Sequence, residues 1–125
     1  MIESTFGSRK PIIAMIHLAP LPGSPLYDRA GGMQKIVEDS ARDIEALQDG
    51  GVDAVMFGNE GDRPYLLKAS AESLAAMAFA VGALKPLIKV PFGVNYLWDP
   101  VATVGLAILR ACTSDNARLP MAITS

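Results

Sequence analysis

Three short hydrophobic runs alternate along the chain with longer segments in which hydrophobic residues recur at helical spacing. The runs cover residues 12–16, 52–57 and 92–95. Each run is almost continuously apolar, which is typical of strands that are covered on both faces of a parallel sheet. The pattern therefore predicts three buried strands.

Helices are predicted after each of these strands, at residues 33–49, 71–84 and 100–111. In the first, apolar residues such as Ile36 and Ile44 form a stripe opposite a charged face. Gly50 and Gly51 then suit a left-handed cap at its end. Ser70 and Asp99 stand where an N-cap is needed for the second and third helices.

The resulting β-α-β-α-β-α order predicts an α/β fold with parallel strands joined by right-handed crossovers. Doubly wound sheets and (β/α) barrels both fit this order. A nucleotide-binding sheet is disfavoured, because no G-x-G-x-x-G or G-x-x-x-x-G-K-S/T segment follows a strand. We expect an irregular lead-in over residues 1–10, in which Phe6 docks on the body.

Composition narrows the range of partners and compartments. Half of the residues are hydrophobic, 19% are charged and the net charge is -2, so the chain is globular and nucleic acid is not expected as a partner. Cys112 is the only cysteine, which fits a reducing, cytoplasmic compartment. We expect no signal peptide, and no transmembrane segment, because the apolar run at residues 74–84 is shorter than the ~20 residues of a membrane helix.

The candidate site consists of polar residues that follow the carboxyl ends of the predicted strands. These are His17, Asn59, Glu60 and Asn95, and in α/β folds such ends face a common crevice. Glu60 and His17 are the candidate catalytic residues, suited to acid–base work, and Asn59 and Asn95 are candidate substrate ligands. The alternatives are a structural, hydrogen-bonded His17 and a turn closed by Asn59 and Glu60.

Metal and cofactor chemistry receive little support from the residues. A chain with one histidine and one cysteine does not supply the ligands of the common zinc sites. We therefore predict no metal site, and nothing in the sequence indicates a particular cofactor.

Three segments resemble the BtpA family, most closely its SgcQ-like branch. They are residues 10–25 (KPIIAMIHLAPLPGSP), 50–60 (GGVDAVMFGNE) and 90–100 (VPFGVNYLWDP). The resemblance implies a (β/α)₈ TIM-type barrel of the ribulose-phosphate-binding kind. It also places the four candidate residues on the strand-end motifs of the family.

The resemblance leaves the function open between two main readings. One is an enzyme of carbohydrate metabolism that acts on a phosphorylated sugar or a nucleoside-type small molecule. The other is a non-enzymatic factor for the assembly of photosystem I at the thylakoid membrane, as implied by the cyanobacterial members. A small, independent α/β binding domain is a third reading, which does not depend on the family.

The chain departs from the family in its extent. A full barrel needs about 250 residues, whereas residues 11–111 supply about three β/α units of a partial barrel. Residues 112–125 are interpreted as a divergent or truncated tail without a recognisable fourth strand. We therefore expect this chain to lack catalytic activity and to self-associate through open sheet edges at its first and third strands.

Overall fold

The computed structural model describes residues 1–112 and 121–122, with side chains to residue 108. The elements run α1 (Ile2–Phe6), β1 (Ile13–His17), α2 (Gly32–Asp49), β2 (Ala54–Gly58), α3 (Ala71–Leu84), a short 3-10 helix (Lys85–Leu87), β3 (Phe92–Asn95), α4 (Pro100–Cys112) and β4 (Met121–Ala122).

The described strands form one parallel sheet in the order β1-β2-β3-β4. Met15 pairs with Met56, and Met56 pairs with Gly93. The predicted α/β class and the predicted order of the first three strands are confirmed. Strands that alternate with helices in a parallel sheet are consistent with part of a (β/α) barrel.

The helix boundaries follow the predicted caps. The Ser70 hydroxyl accepts the backbone N–H of Ser73 at 3.3 Å, and Gly51 adopts a left-handed φ of 82° after α2. Asp99 Oδ1 accepts the backbone N–H groups of Val101 and Ala102. Within the described part of the chain, no helix has the length and apolar character needed to cross a bilayer.

Two short elements differ from the sequence prediction. Residues predicted as an irregular lead-in form α1, a helix of five residues in which none is buried. Phe6 is half-buried and is not part of the hydrophobic core cluster. A helix of five residues makes little more than one turn, so hydrophobic periodicity gives no signal for it.

The second difference is β4, which was not predicted. Met121 and Ala122 pair with Gly93 and Val94 of β3, so the carboxyl-terminal segment adds a strand to the sheet. A strand of two residues is too short to show an alternating pattern. Residues 113–120 and 123–125 lie outside the described residues, and the interpretation of residues 112–125 as a divergent or truncated tail stays a prediction.

One face of the sheet packs against the helices and forms the core. Ile16, Phe57 and Val94 on this face are completely buried. They join one hydrophobic cluster with side chains from all three long helices. Its helical members include Ile36, Ile44, Met77, Val81, Leu84 and Leu106. The register of β1, β2 and β3 is therefore fixed by the side chains that this core requires.

The opposite face of the sheet is only partly covered, and we call it the open face. It carries Ile13, Met15 and His17 of β1, Ala54, Met56 and Gly58 of β2, and Gly93 and Asn95 of β3. Ile13 and Met15 remain 37% and 43% exposed, whereas Met56 is buried. The prediction of strands covered on both faces is thus right for β2 and wrong for β1, which lies at the edge of the sheet.

Candidate functional site

The last residues of β1, β2 and β3 lie at one level of the sheet. His17 is in register with Gly58, and Gly58 is in register with Asn95. Neighbouring strands are about 4.8 Å apart, so His17 and Asn95 are separated by roughly 10 Å on the open face. Gly58 has no side chain and is buried, with the Met15 side chain in van der Waals range of the place that a Cβ atom would take. His17 and Asn95 therefore lie on the same face of the sheet, with β2 between their strands, and their chemical roles stay predictions.

Asn95 carries a hydrogen-bond acceptor at this level of the sheet. Its Oδ1 atom is buried and has no hydrogen-bond partner among the described residues. Buried side-chain oxygens are nearly always satisfied, so an unpaired one marks a position that an additional donor can fill. Asn95 Oδ1 is therefore suited to accept a hydrogen bond from a ligand.

Glu60 lies in the loop after β2, where its carboxylate is held by a neighbouring tyrosine. The Tyr65 hydroxyl donates to Glu60 Oε1 at 2.8 Å, and Arg63 Nη2 approaches the same oxygen at 3.9 Å. The Glu60 side chain is 39% exposed. Both of these contacts involve Oε1, so they leave the second carboxylate oxygen of Glu60 available as an acceptor. No contact between Glu60 and His17 or Asn95 is seen among the described residues. The convergence of these three side chains on one site therefore stays a prediction.

Tyr65 also contacts Trp98, which lies in the loop after β3. Their ring centroids are 5.2 Å apart, with the planes inclined by 51°, and Trp98 is 49% exposed. The Trp98 backbone N–H donates to the Leu66 carbonyl at 3.1 Å. Sequence reasoning missed this aromatic pair, because residues 33 positions apart in two loops show no shared spacing.

Asn59 has a different environment from the other candidates, since its amide is already engaged by the protein. Asn59 Oδ1 accepts the Leu97 N–H at 2.6 Å, and Nδ2 donates to the Leu97 carbonyl and to Asp62 Oδ2, both at 3.3 Å. The side chain is 1% exposed. The structure therefore supports a positioning role that joins the loops after β2 and β3. Both polar atoms of the amide already have hydrogen-bond partners in the protein. Direct contact between Asn59 and a substrate stays a prediction.

A buried chain of hydroxyl and carboxylate groups connects the same loops with α3. Asp62 Oδ1 accepts the Leu21 N–H at 2.7 Å, while Oδ2 lies 3.2 Å from the Ser73 hydroxyl. The Ser73 hydroxyl lies 2.7 Å from that of Tyr96. If Ser73 donates to Asp62, Tyr96 must donate to Ser73. Burial raises the pKa of Tyr96, which keeps its proton available for this bond.

These hydrogen-bonded groups border a cavity of about 190 Å³. Its lining comes from all three loops and from α3 and includes Ser24, Asn59, Asp62, Ser70, Ser73 and Tyr96. None of Asp62, Ser73 and Tyr96 was predicted as a site residue. The run of polar residues after β2 was the only feature of the sequence that pointed to this cavity. No sequence motif links Ser73 with Tyr96. The side chains of Asn59, Asp62, Ser73 and Tyr96 are bonded to one another, which indicates that they primarily position the loops.

Asp99 completes the connections between the loops. Besides capping α4, its Oδ2 accepts the Ala69 N–H at 2.8 Å. The N–H groups of Ala69, Ala102 and Val101 hold the pKa of Asp99 below its ordinary value of 3.8. The interpretation of Asp99 as an N-cap rather than a catalyst agrees with this geometry.

The lowered pKa predicts a pH-dependent effect of the substitution Asp99→Asn. A folded-state pKa below the unfolded one stabilises the fold above the unfolded pKa, and this stabilisation is lost as the pH falls through the folded pKa. Asp99→Asn keeps one acceptor for the cap but removes the one that Ala69 uses. We expect it to lower the Tm more at pH 7 than near pH ~2, where the unaltered carboxylate loses part of its stabilising effect, as measured by circular dichroism. Asp43→Asn on the exposed side of α2 is the matched control, and an equal effect at both pH values would contradict the prediction.

Metal ligands are sparse in this region. Over residues 1–108, where side chains are described, His, Cys, Asp and Glu form no group of three or more that could hold an ion. The groups that the described residues present near the carboxyl edge include an imidazole, carboxylates, an unpaired amide oxygen and two aromatic rings.

Comparisons with known proteins identify relatives along most of the chain. The BtpA family profile matches residues 8–120, and so reaches into the segment interpreted as a divergent tail. The chain is 50% identical over 107 residues to the sgc region protein SgcQ of Escherichia coli K12, covering 86% of this chain. An uncharacterized protein of Thermococcus kodakarensis is 40% identical over 100 residues, or 79% of this chain.

A third relative is the photosystem I biogenesis protein BtpA of Synechocystis. It is 32% identical over 94 residues, which cover 74% of this chain. The chain spans only 40%, 38% and 32% of the lengths of these three relatives, in the order given. No solved structure matches the chain.

Proposed function

We propose, since this chain belongs to the BtpA family, that it supplies the first β/α units of a barrel whose carboxyl edge binds and transforms a phosphorylated sugar or a nucleoside-type small molecule. Such an enzyme would act in carbohydrate metabolism in the cytoplasm. The observation that supports this proposal best is the level formed by His17, Gly58 and Asn95, where the buried Oδ1 atom of Asn95 has no described partner. A buried acceptor without a partner at the carboxyl ends of parallel strands suits a polar ligand.

Each polar group has a distinct part in this proposal. Asn95 Oδ1 accepts a hydrogen bond from a hydroxyl or amine group of the substrate. Glu60, held through Oε1 by Tyr65, acts as the acid–base or ligand-orienting carboxylate. His17, at the exposed end of β1, is the second acid–base candidate, because histidine is the commonest general acid–base residue of enzymes.

The phosphate group of the substrate would be bound elsewhere. In barrels of this kind the phosphate site is usually built after the seventh and eighth strands. This chain contributes only the early strands, so its residues would contact the part of the substrate that carries hydroxyl groups. Catalysis by the 125-residue chain alone is therefore not expected.

The test is the substitution Glu60→Gln, made at the corresponding position of a full-length family member that carries the Asn-Glu pair. Calorimetric titration with ribose 5-phosphate and with adenosine 5′-monophosphate provides the measurement. We expect one of these probes to bind and the substitution to weaken its binding about tenfold or more, because hydrogen bonds to a charged group are worth about 1.5–3 kcal/mol. The Tm should stay within about 1 °C, since an exposed carboxylate contributes little to stability.

The outcomes separate the proposal from its rival. Binding by the Gln variant as tight as that of the unaltered protein would remove Glu60 from the site. Failure of the unaltered protein to bind either probe would refute the small-molecule proposal as a whole.

The second candidate function is assembly of a membrane complex without catalysis. It is supported by the name of the Synechocystis relative and by the exposed apolar side chains of Leu66, Leu67 and Trp98 in the loops. Exposed apolar groups that lie together are typical of protein contacts. This reading predicts that substitutions at Leu67 impair association with a protein partner while Glu60→Gln has no effect.

A further inference from the structure

The loops at the carboxyl edge present one aromatic surface, formed by Tyr65 and Trp98. The two rings are in contact at 5.2 Å between centroids, and Trp98 is half-exposed. The loop that carries Trp98 is fixed from two sides. The Asn59 amide binds both backbone groups of Leu97, and the Leu66 carbonyl accepts the Trp98 N–H.

A carboxylate adjoins this surface. The Tyr65 hydroxyl, at the edge of the aromatic pair, donates to Glu60 Oε1 at 2.8 Å and contacts the Glu60 carbonyl at 3.2 Å. An ionised carboxylate only accepts hydrogen bonds. The surface therefore combines an exposed ring face with an acceptor that Tyr65 orients.

We propose that Tyr65 and Trp98 form a stacking surface for the ring of a cyclic sugar, whose hydroxyl groups donate to Glu60. The inference rests on the proposed function and specifies the part of the substrate that this chain recognises. A sugar ring presents C–H groups on one face, which pack against an aromatic ring, and hydroxyl donors around its rim. The exposed ring of Trp98 matches the C–H face of the sugar, and the Glu60 carboxylate matches its hydroxyl donors.

A nucleobase fits this arrangement less well. The two aromatic rings touch each other and are tilted by 51°, so no planar base can be inserted between them. The edges of bases also carry acceptor atoms, which a carboxylate repels, whereas every sugar hydroxyl can donate. The structure thus favours a saturated, hydroxyl-rich ring on the free face of Trp98.

The single tryptophan of the sequence provides a direct test in the 125-residue chain. Its fluorescence is recorded, after centrifugation, during titration with D-ribose, ribose 5-phosphate, inorganic phosphate and adenosine. Equilibrium dialysis with radiolabelled ribose gives a second, independent measurement. We expect a saturable change with ribose and ribose 5-phosphate at similar millimolar midpoints, because the phosphate site of such barrels lies on later strands.

The variants Tyr65→Phe and Tyr65→Ala separate the two contributions of the tyrosine. Phe keeps the ring but frees Glu60, and should weaken ribose binding about tenfold. Ala also removes the neighbouring ring and should abolish measurable binding. Tyr27→Phe, which removes a hydroxyl in the loop after β1, is the matched control and should bind ribose like the unaltered chain.

Other outcomes overturn the inference. Inorganic phosphate alone giving the same response would show recognition of the anion, and a response to adenosine alone would show recognition of a base. An unchanged Trp98 signal with every probe would also overturn it. If a full-length family member nevertheless bound ribose 5-phosphate through Glu60, the proposed function would stand while the aromatic surface would be excluded from it.

Discussion

The 125-residue chain is expected to elute from a size-exclusion column well ahead of a monomer of 13.2 kDa. In the described residues, β1 pairs only with β2, so its other edge presents unpaired backbone groups. On the open face, Ile13 and Met15 are exposed next to this edge. Edges of this kind recruit further strands, and burying about 400 Å² of apolar surface at ~25 cal/mol per Å² is worth about 10 kcal/mol.

The substitution Met15→Lys tests this expectation at the open face. A lysine on the surface that becomes buried would have to be desolvated, so the variant should associate less and elute later at the same micromolar concentration. Ile108→Lys is the matched control, because Ile108 is 57% exposed on α4, away from the sheet edge. It should leave the elution volume of the chain unchanged.

A compact monomer with a cooperative thermal transition would contradict self-association. It would instead support the third reading, that of a small independent α/β binding domain. The fourth strand makes the expectation more specific than the sequence alone did. β4 covers two residues of β3, so association is expected mainly through β1 rather than equally through both edges.

The substitution Asn59→Ala is expected to reduce the free energy of unfolding by about 3 kcal/mol. It removes the acceptor of the Leu97 N–H and the donor to the Leu97 carbonyl, and Asp62 loses one of its donors. Each buried polar group left without a partner costs about 1–3 kcal/mol. Urea unfolding at fixed protein concentration, followed by circular dichroism, measures the loss.

Asn95→Ala is the matched control, because the same atoms are removed at the end of the next strand. The Oδ1 atom of Asn95 has no partner in the described residues, so its removal should cost little stability. In a full-length family member the control should instead weaken ligand binding. Equal losses of stability from the two substitutions would contradict the distinction between a positioning Asn59 and a ligand-facing Asn95.

The main elements of the fold could be predicted because each contains a long enough periodic signal. The strands near Ile16, Phe57 and Val94 are apolar because they are buried, and Ser70 and Asp99 mark helix starts through local hydrogen bonds. α1 and β4 have five and two residues. Elements that short owe their conformation to tertiary context, which periodicity does not report.

Residues of the site could be predicted only where their position at the end of a strand determines where they lie. His17 and Asn95 follow from the ends of the strands, because register aligns them once the strands pair. The Tyr65–Trp98 contact joins two loops, and the Ser73–Tyr96 bond joins α3 to the loop after β3. Nothing in the local sequence specifies either of them. Asn59 shows the limit most clearly, since its partner Leu97 lies 38 residues away.

The loops after β1, β2 and β3 are cross-linked by side chains that reach from one loop to another. Asp62 binds the backbone at Leu21, Asn59 binds it at Leu97, and Asp99 binds it at Ala69. Exchange of any one loop with that of another barrel would leave donors or acceptors of at least one neighbouring loop without partners. For protein engineering, the unit that can be recombined is therefore all three loops with their strands, and a chimaera junction belongs after α4 rather than between β1 and β3.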